Sequence, residues 1–132
     1  MIYLASPYTH PDPVVRERRF MLACSATVTL MRRDMIVFSP IVHGHPLLDF
    51  GLPIDWSYWE RFDRAFLVRC SELAVLMLDG WDRSDGVASE IKIAKEIEKP
   101  VRYLSLPNLD FAESATNDIV VGGKSNGQAR TM

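Results

Sequence analysis

Short apolar runs alternate along the chain with longer stretches in which apolar residues recur every three or four positions. "MIYLAS" is apolar and closed by Pro7, which predicts a buried first strand. "PYTHPDP" is a turn-rich loop. Asp12 is placed to cap a helix with Pro13 at its first position, and that helix runs to about Arg33 with Phe20, Leu22, Ala23, Ala26 and Leu30 along it. "MIVFS" reads as a second strand ended by Pro40. "PIVHGHPLLDFGLPI", with its prolines and glycines, reads as a long ordered loop or broken helix, and loops of this length in small domains are usually functional. Asp55 then caps the helix "WSYWERFDRAFLVRC". "LAVLML" is a third strand without alternation, which favours a parallel sheet covered on both faces. After the turn "DGWDRSDG" come the helix "VASEIKIAKEIEK" and the strand "VRYLSL", opened by Pro100.

Strand and helix alternate throughout, so the expected class is α/β: one doubly wound, flavodoxin-like domain with a four- to five-stranded parallel sheet flanked by helices. The domain is expected over residues 1–112. Residues 113–132, ending in "GGKSNGQARTM", are expected to form a flexible tail.

Two helices break their own pattern. At about 100° per residue, Val87, Ala88, Ile91, Ala94 and Ile97 define one apolar face, and Glu90 falls inside it, in what reads as the first turn. In the preceding helix Trp56, Trp59, Phe62, Phe66, Leu67 and Cys70 share a face, and Asp63 lies in its middle. Burying an unpaired carboxylate costs several kcal/mol, a heavy penalty in a domain stable by about 5–15 kcal/mol. Backbone amides or an arginine could satisfy each carboxylate. Two of them near the carboxyl ends of strands, where open α/β sheets bind ligands, favour function instead.

The loops at those strand ends bring Ser6, Pro7, Tyr8 and Thr9, then His43, Gly44 and His45, then Asp79, Asp82, Asp85, Gly86 and Ser89, with Tyr3 on the first strand itself. Carboxylates and hydroxyls suit a sugar, and aromatics suit a flat base. Arg19 leans toward the buried side of its helix and, with the Ser6–Thr9 amides, could hold a phosphate. His43 and His45 either contact a ligand or pack the loop. Trp56, Tyr58 and Trp59 either stack a base or serve as core or subunit contact.

Composition narrows the classes. The chain has 132 residues, one domain's worth, with 48% hydrophobic and 24% charged residues, as in soluble globular proteins. A net charge of -2 argues against a nucleic-acid polymer or a membrane surface as partner, so any anion site must be local. The longest apolar runs are strand-length, so no membrane span is expected. Cys24 and Cys70 lie in predicted helices and read as buried thiols, which with the lack of a signal peptide points to the cytoplasm. "HGH" with His10 fits no zinc spacing, so neither metal nor other cofactor is expected.

"IYLASPY" resembles the first strand and loop of the nucleoside 2-deoxyribosyltransferase-like family. "DGVASEIKIA" is similar to that family's D-x-G-x-x-x-E-x-G-x-A signature, and "EKPV" to its G-K-P-V ending. The likeness covers roughly residues 1–105 and is strongest to a small branch of bacterial and phage proteins. The family cleaves N-glycosidic bonds; some members transfer the sugar to another base and others hydrolyse nucleoside 5′-monophosphates. The resemblance implies Glu90 as nucleophile, Tyr3 as the group positioning it, Asp63 as the acid facing the leaving base, and Asp85 on the sugar hydroxyls. Ser6, Tyr8, Arg19, His43, His45, Gly86 and Ser89 would bind substrate, and a neighbouring subunit in a homo-oligomer would complete the site. Ile91 and Lys92, where the family prefers a small step, and the tight "DG" turn favour hydrolysis over base exchange. The alternative is a nucleotide-sensing module that keeps the pocket without turnover. For the chemistry, Glu90 at a helix start is expected to stay ionised and buried Asp63 to keep its proton.

Overall fold

In the computed structural model, which describes residues 1–115, the first strand is flanked on both sides. β1 (Ile2–Ala5) pairs in parallel with β2 (Val37–Phe38) and with β3 (Glu72–Leu76), with Tyr3 opposite both Phe38 and Leu73. β3 pairs in parallel with β4 (Val101–Ser105), and β4 pairs with β5 (Asp110–Ala112), giving the order β2-β1-β3-β4-β5. The fifth strand is antiparallel, so the sheet is mostly parallel rather than wholly so. Only the turn at 106–109 separates β4 from β5, and a connection that short can only reverse the chain. Of the tail expected over 113–132, residues 116–132 lie outside the described residues.

Alternation along the strands sorts the core into two layers. Ile2, Leu4, Ala74, Leu76 and Leu104 face α1 (Pro13–Arg32), where Ala26 and Leu30 meet them. Tyr3, Ala5, Leu73 and Val75 face the other way, onto α3 (Trp56–Arg69) and α4 (Asp85–Glu96) through Leu67, Val87, Ile93 and Ala94. Leu30 is wholly buried, and its truncation to alanine would cost about 2–5 kcal/mol. The same alternation sends Tyr3, between Ile2 and Leu4 in the chain, toward the helices that carry the two carboxylates.

The helix starts follow local chemistry. Asp12 accepts from the Val14 amide at 2.9 Å and Pro13 opens α1. Ser84 accepts from the Val87 amide at 3.2 Å, so α4 begins at Asp85, two residues before the expected start. Its buried face is Val87, Glu90, Ile93 and Ala94; Ala88 is exposed. Asp55 stands at the N-cap of α3 but binds the Ser57 hydroxyl instead of an amide. The proline-rich stretch after β2 is a broken helix: α2 (Pro40–Gly44) followed by a 3-10 segment, His45–Phe50. Both cysteines are free, but only Cys70 is buried; Cys24 is half-buried, on a helix that covers the sheet with a different side. Among the described residues no helix is long and apolar enough to cross a membrane.

Candidate active site

A cleft of about 750 Å³ opens where β1 and β3 end. Its floor holds the two anomalous carboxylates. Tyr3 donates from its hydroxyl to Glu90 Oε2 at 2.5 Å. Tyr3, Glu90 and Asp63 are 0%, 5% and 8% exposed, so three ionisable groups are nearly dry. Among the described residues neither carboxylate has an ion-pair partner.

Burial dominates the electrostatics. It pushes Asp63 up to about 7, with the Tyr3 hydroxyl opposing. It pushes Glu90 up to about 8, helped by the neighbouring Asp63 charge and opposed by the Tyr3 hydrogen bond. The Tyr3 phenol is also pushed up, by burial and then by both carboxylates, so it stays a donor. The expectation that a helix start keeps Glu90 ionised is corrected here: with α4 beginning at Asp85, Glu90 is its sixth residue, beyond the first turn where the dipole acts. Burial thus raises both carboxyl groups toward neutrality, and the Asp63 charge opposes ionisation of Glu90.

The cleft walls gather most of the residues singled out in the sequence. Ser6, Tyr8, Arg19, His45, Asp85 and Gly86 line it with Asp63 and Glu90. Ser6 Oγ is buried and has no hydrogen-bond partner among the described residues. A buried hydroxyl without a partner is costly unless something in the cleft completes it. His43 and Ser89 are not part of the cleft. His43 is two residues from His45 in a helical stretch, hence on roughly the opposite side, where it packs near Phe38 and Phe66. Ser89 precedes Glu90 by one residue and is turned about 100° away from it. Asp82 is also outside, beside Arg83 at 3.7 Å. Trp56 and Trp59 line the cleft while Tyr58 faces away. Among the described residues no His, Cys, Asp and Glu side chains converge as a metal-ligand group; His10 already accepts from the Asp12 amide at 3.0 Å.

A family profile described as a domain of unknown function (DUF1937) matches residues 1–106. The chain belongs to the DUF1937 family. No curated protein matches it. The matched region of this DUF1937 domain ends just past β4, so it contains every cleft residue and leaves β5 outside.

The cationic side of the DUF1937 cleft is only partly legible in the sequence. Arg19 donates to the Thr9 carbonyl at 3.1 Å and to the Asp79 carbonyl at 3.4 Å, tying the loops after β1 and β3 together. Gly80 makes room for it: its φ is +88°, and a Cβ there would sit 2.8 Å from Arg19 Nη2. Burial lowers the Arg19 pKa, with Asp79 opposing and Arg83 acting in the same direction. Arg18 and Arg83 also line the cleft, and sequence reasoning misses both. Val15, Arg18, Arg19 and Leu22, all cleft-lining, follow the i, i+3, i+4, i+7 pattern of one helix face, which is the available signal for Arg18.

Proposed function

We propose that this DUF1937 domain cleaves the N-glycosidic bond of nucleosides or nucleoside 5′-monophosphates with a carboxylate nucleophile. One observation carries the reading: Glu90, oriented by Tyr3, is buried at the floor of one cleft with a second carboxyl group, Asp63, and neither is neutralised by a cation among the described residues. Two carboxyl groups in one site are what cleavage through an oxocarbenium-like transition state needs.

Glu90 as carboxylate attacks the anomeric carbon. The C–N bond breaks, its electron pair leaves with the base, and the Asp63 proton goes to the base nitrogen. A glycosyl ester on Glu90 remains, which water hydrolyses with Asp63 now accepting the proton. Turnover uses the form of the pair with Glu90 charged and Asp63 protonated. It is the minor of the two singly protonated forms, because burial raises Glu90 further than Asp63 and the Tyr3 hydroxyl lowers both, so bound substrate has to select it. Asp85, in the first turn of α4, and the unpartnered Ser6 hydroxyl are available to the sugar. Trp56 and Trp59 offer faces for the base, and Arg19 with Arg83 offers charge for a phosphate. Ile91 and Lys92 do not line the cleft, so this departure from the resembled signature leaves the pocket unobstructed.

The sheet order supports a flavodoxin-like reading of the fold, with the cleft at the switch point beside β1. A homo-oligomer fits the same picture, since Phe50, at 85% exposed and two residues past the cleft-lining Leu48, suits contact with a second copy.

Incubation of the purified chain with a panel of nucleosides and their 5′-monophosphates, followed by chromatography for free base, tests the proposal. Base release above the uncatalysed rate supports it. Tight binding without release would leave a nucleotide-sensing module in its place, and neither binding nor release would remove both.

A further inference from the structure

α1 buries one side against the sheet and carries an apolar row on the other. Ala23, Ala26, Thr27 and Leu30 are packed inward. At about 100° per residue, Val14, Met21, Val28 and Met31 stand on the side away from them. These four are between 45% and 66% exposed. Half-buried Cys24 lies in the same row. Val14, Met21 and Val28 are spaced by sevens, and Glu17, Cys24 and Met31 each follow one of them by three. That is the a/d heptad pattern by which one helix packs along another. Single exposed apolar side chains are ordinary, but a continuous row of them marks a contact surface.

The row is complementary to itself. Met21 and Val28 lie equally far from the point between Cys24 and Ser25, and so do Glu17 and Arg32. An isologous two-fold contact has this property: residue i meets j, and j meets i. Laid antiparallel about that point, two copies of α1 set Met21 against Val28 and Glu17 near Arg32, twice over. The small side chains of Cys24 and Ser25 sit at the crossing, where the axes approach to about 8–10 Å. A parallel pair would bring Glu17 against Glu17 and Arg32 against Arg32. Both charges are available for the contact. Glu17 binds His45 Nε2 through Oε1, and its side chain is 60% exposed. Arg32 is exposed and has no ion pair among the described residues.

We propose that two copies of this chain associate through the outer face of α1, antiparallel, with Met21 packed on Val28 of the partner subunit and Glu17 paired with Arg32 of the partner subunit. The inference stands apart from the reaction proposed above. The cleft-lining residues of α1, Val15, Arg18, Arg19 and Leu22, lie on a different side of the helix.

One helix pair is smaller than the ~1,600 Å² of a standard stable interface, so mass is read at about 100 µM protein and low salt. Sedimentation equilibrium of the full chain should give a dimer. Met21→Glu/Val28→Glu should give a monomer that still unfolds cooperatively, since both positions are exposed and neither lines the cleft. Arg32→Glu sets acid against acid and should weaken association about fivefold, because the two-fold axis makes the contact twice. Adding Glu17→Lys reverses both charges and should restore it. A monomer in the unmodified protein overturns the proposal. So does an assembly that survives Met21→Glu/Val28→Glu, which would put the contact elsewhere, as at Phe50. Unchanged association of Arg32→Glu, or no recovery on adding Glu17→Lys, overturns the antiparallel pairing.

Discussion

The two ends of one sheet treat buried acid in opposite ways. At the amino edge, Glu72 opens β3 beside Arg102 of β4, and the guanidinium grips it twice, Nε to Oε1 at 2.6 Å and Nη2 to Oε2 at 3.0 Å. Arg102 also lies 4.0 Å over the Phe111 ring. At the carboxyl edge Asp63 and Glu90 are buried more deeply, yet they receive a phenol and no cation. The chain is thus able to neutralise a carboxylate where only the fold is at stake. Leaving two of them uncompensated at the ligand-binding edge costs stability, and such costs persist where the groups have chemistry to perform.

The largest expected effect separates the two ends by mutation. Glu90→Gln keeps the shape and still accepts from Tyr3, but removes the proposed nucleophile. Base release per folded molecule should fall by about 10³-fold or more. The melting temperature at pH 8 should stay equal or rise, because a buried charge has been relieved. Glu72→Ala should do the reverse. It strands Arg102 and should cost about 1–2 kcal/mol, moderated because both partners keep some solvent contact, while turnover per folded molecule is unchanged. Melts and release rates on the two variants decide the matter. A Glu90→Gln protein that melts lower and turns over normally would dissolve the contrast and make Glu90 structural.

The second effect is thermodynamic and needs no substrate. Asp63 is raised from 3.8 to about 7 and Glu90 from 4.5 to about 8. Below pH ~3 both are protonated whether the chain is folded or not, and their favourable contribution is fully present. As pH rises toward 8 the unfolded chain releases these protons first, so the folded state binds more of them and stability falls. Above pH ~8 the loss is complete. The two shifts together correspond to a loss on the order of 6 kcal/mol between pH 5 and 8. Denaturant titrations of the unmodified protein against Asp63→Asn/Glu90→Gln measure it as the difference between two curves. Parallel curves across that range would mean that burial does not burden these carboxylates, and the two ends of the sheet would no longer differ in kind.

The same contrast governs what the amino-acid sequence makes legible. β1, β3 and the helices are legible because burial on both faces leaves unbroken apolar runs and amphipathic periods. Glu90 and Asp63 are legible because each interrupts such a period. The Ser84 cap is hidden in "DRSDG", which reads as a plain turn, so the pattern alone starts α4 two residues late. The expected ionisation of Glu90 fails with it. The segment around "HGH" reads as an ordered loop or a broken helix, and only the helical outcome turns His43 away from the cleft while His45 lines it. Arg18 and Arg83 look like ordinary solvated charges, and only the convergence of α1 with the loop after β3 gives them a common site. β5 has three residues and no pattern of its own; its place is set by pairing with β4.

The smallest expected effect concerns Arg19, the arginine at the carboxyl edge that ties the loops after β1 and β3. Arg102 spends its donors on an acid, whereas Arg19 gives two to neutral carbonyls and keeps its charge uncompensated by any ion pair among the described residues. If the cleft takes a 5′-phosphate, that spare charge is where it would act. Monophosphates should bind about tenfold tighter than the corresponding nucleosides, and Arg19→Ala should bring the two together. Arg19 also ties two loops, so its loss will lower stability. The ratio of the two affinities, taken on one folded sample, cancels that cost because both ligands meet the same protein. Equal affinities in the unmodified protein would show Arg19 to be a loop tie only, and would move it from the functional end of the comparison to the structural one, beside Arg102.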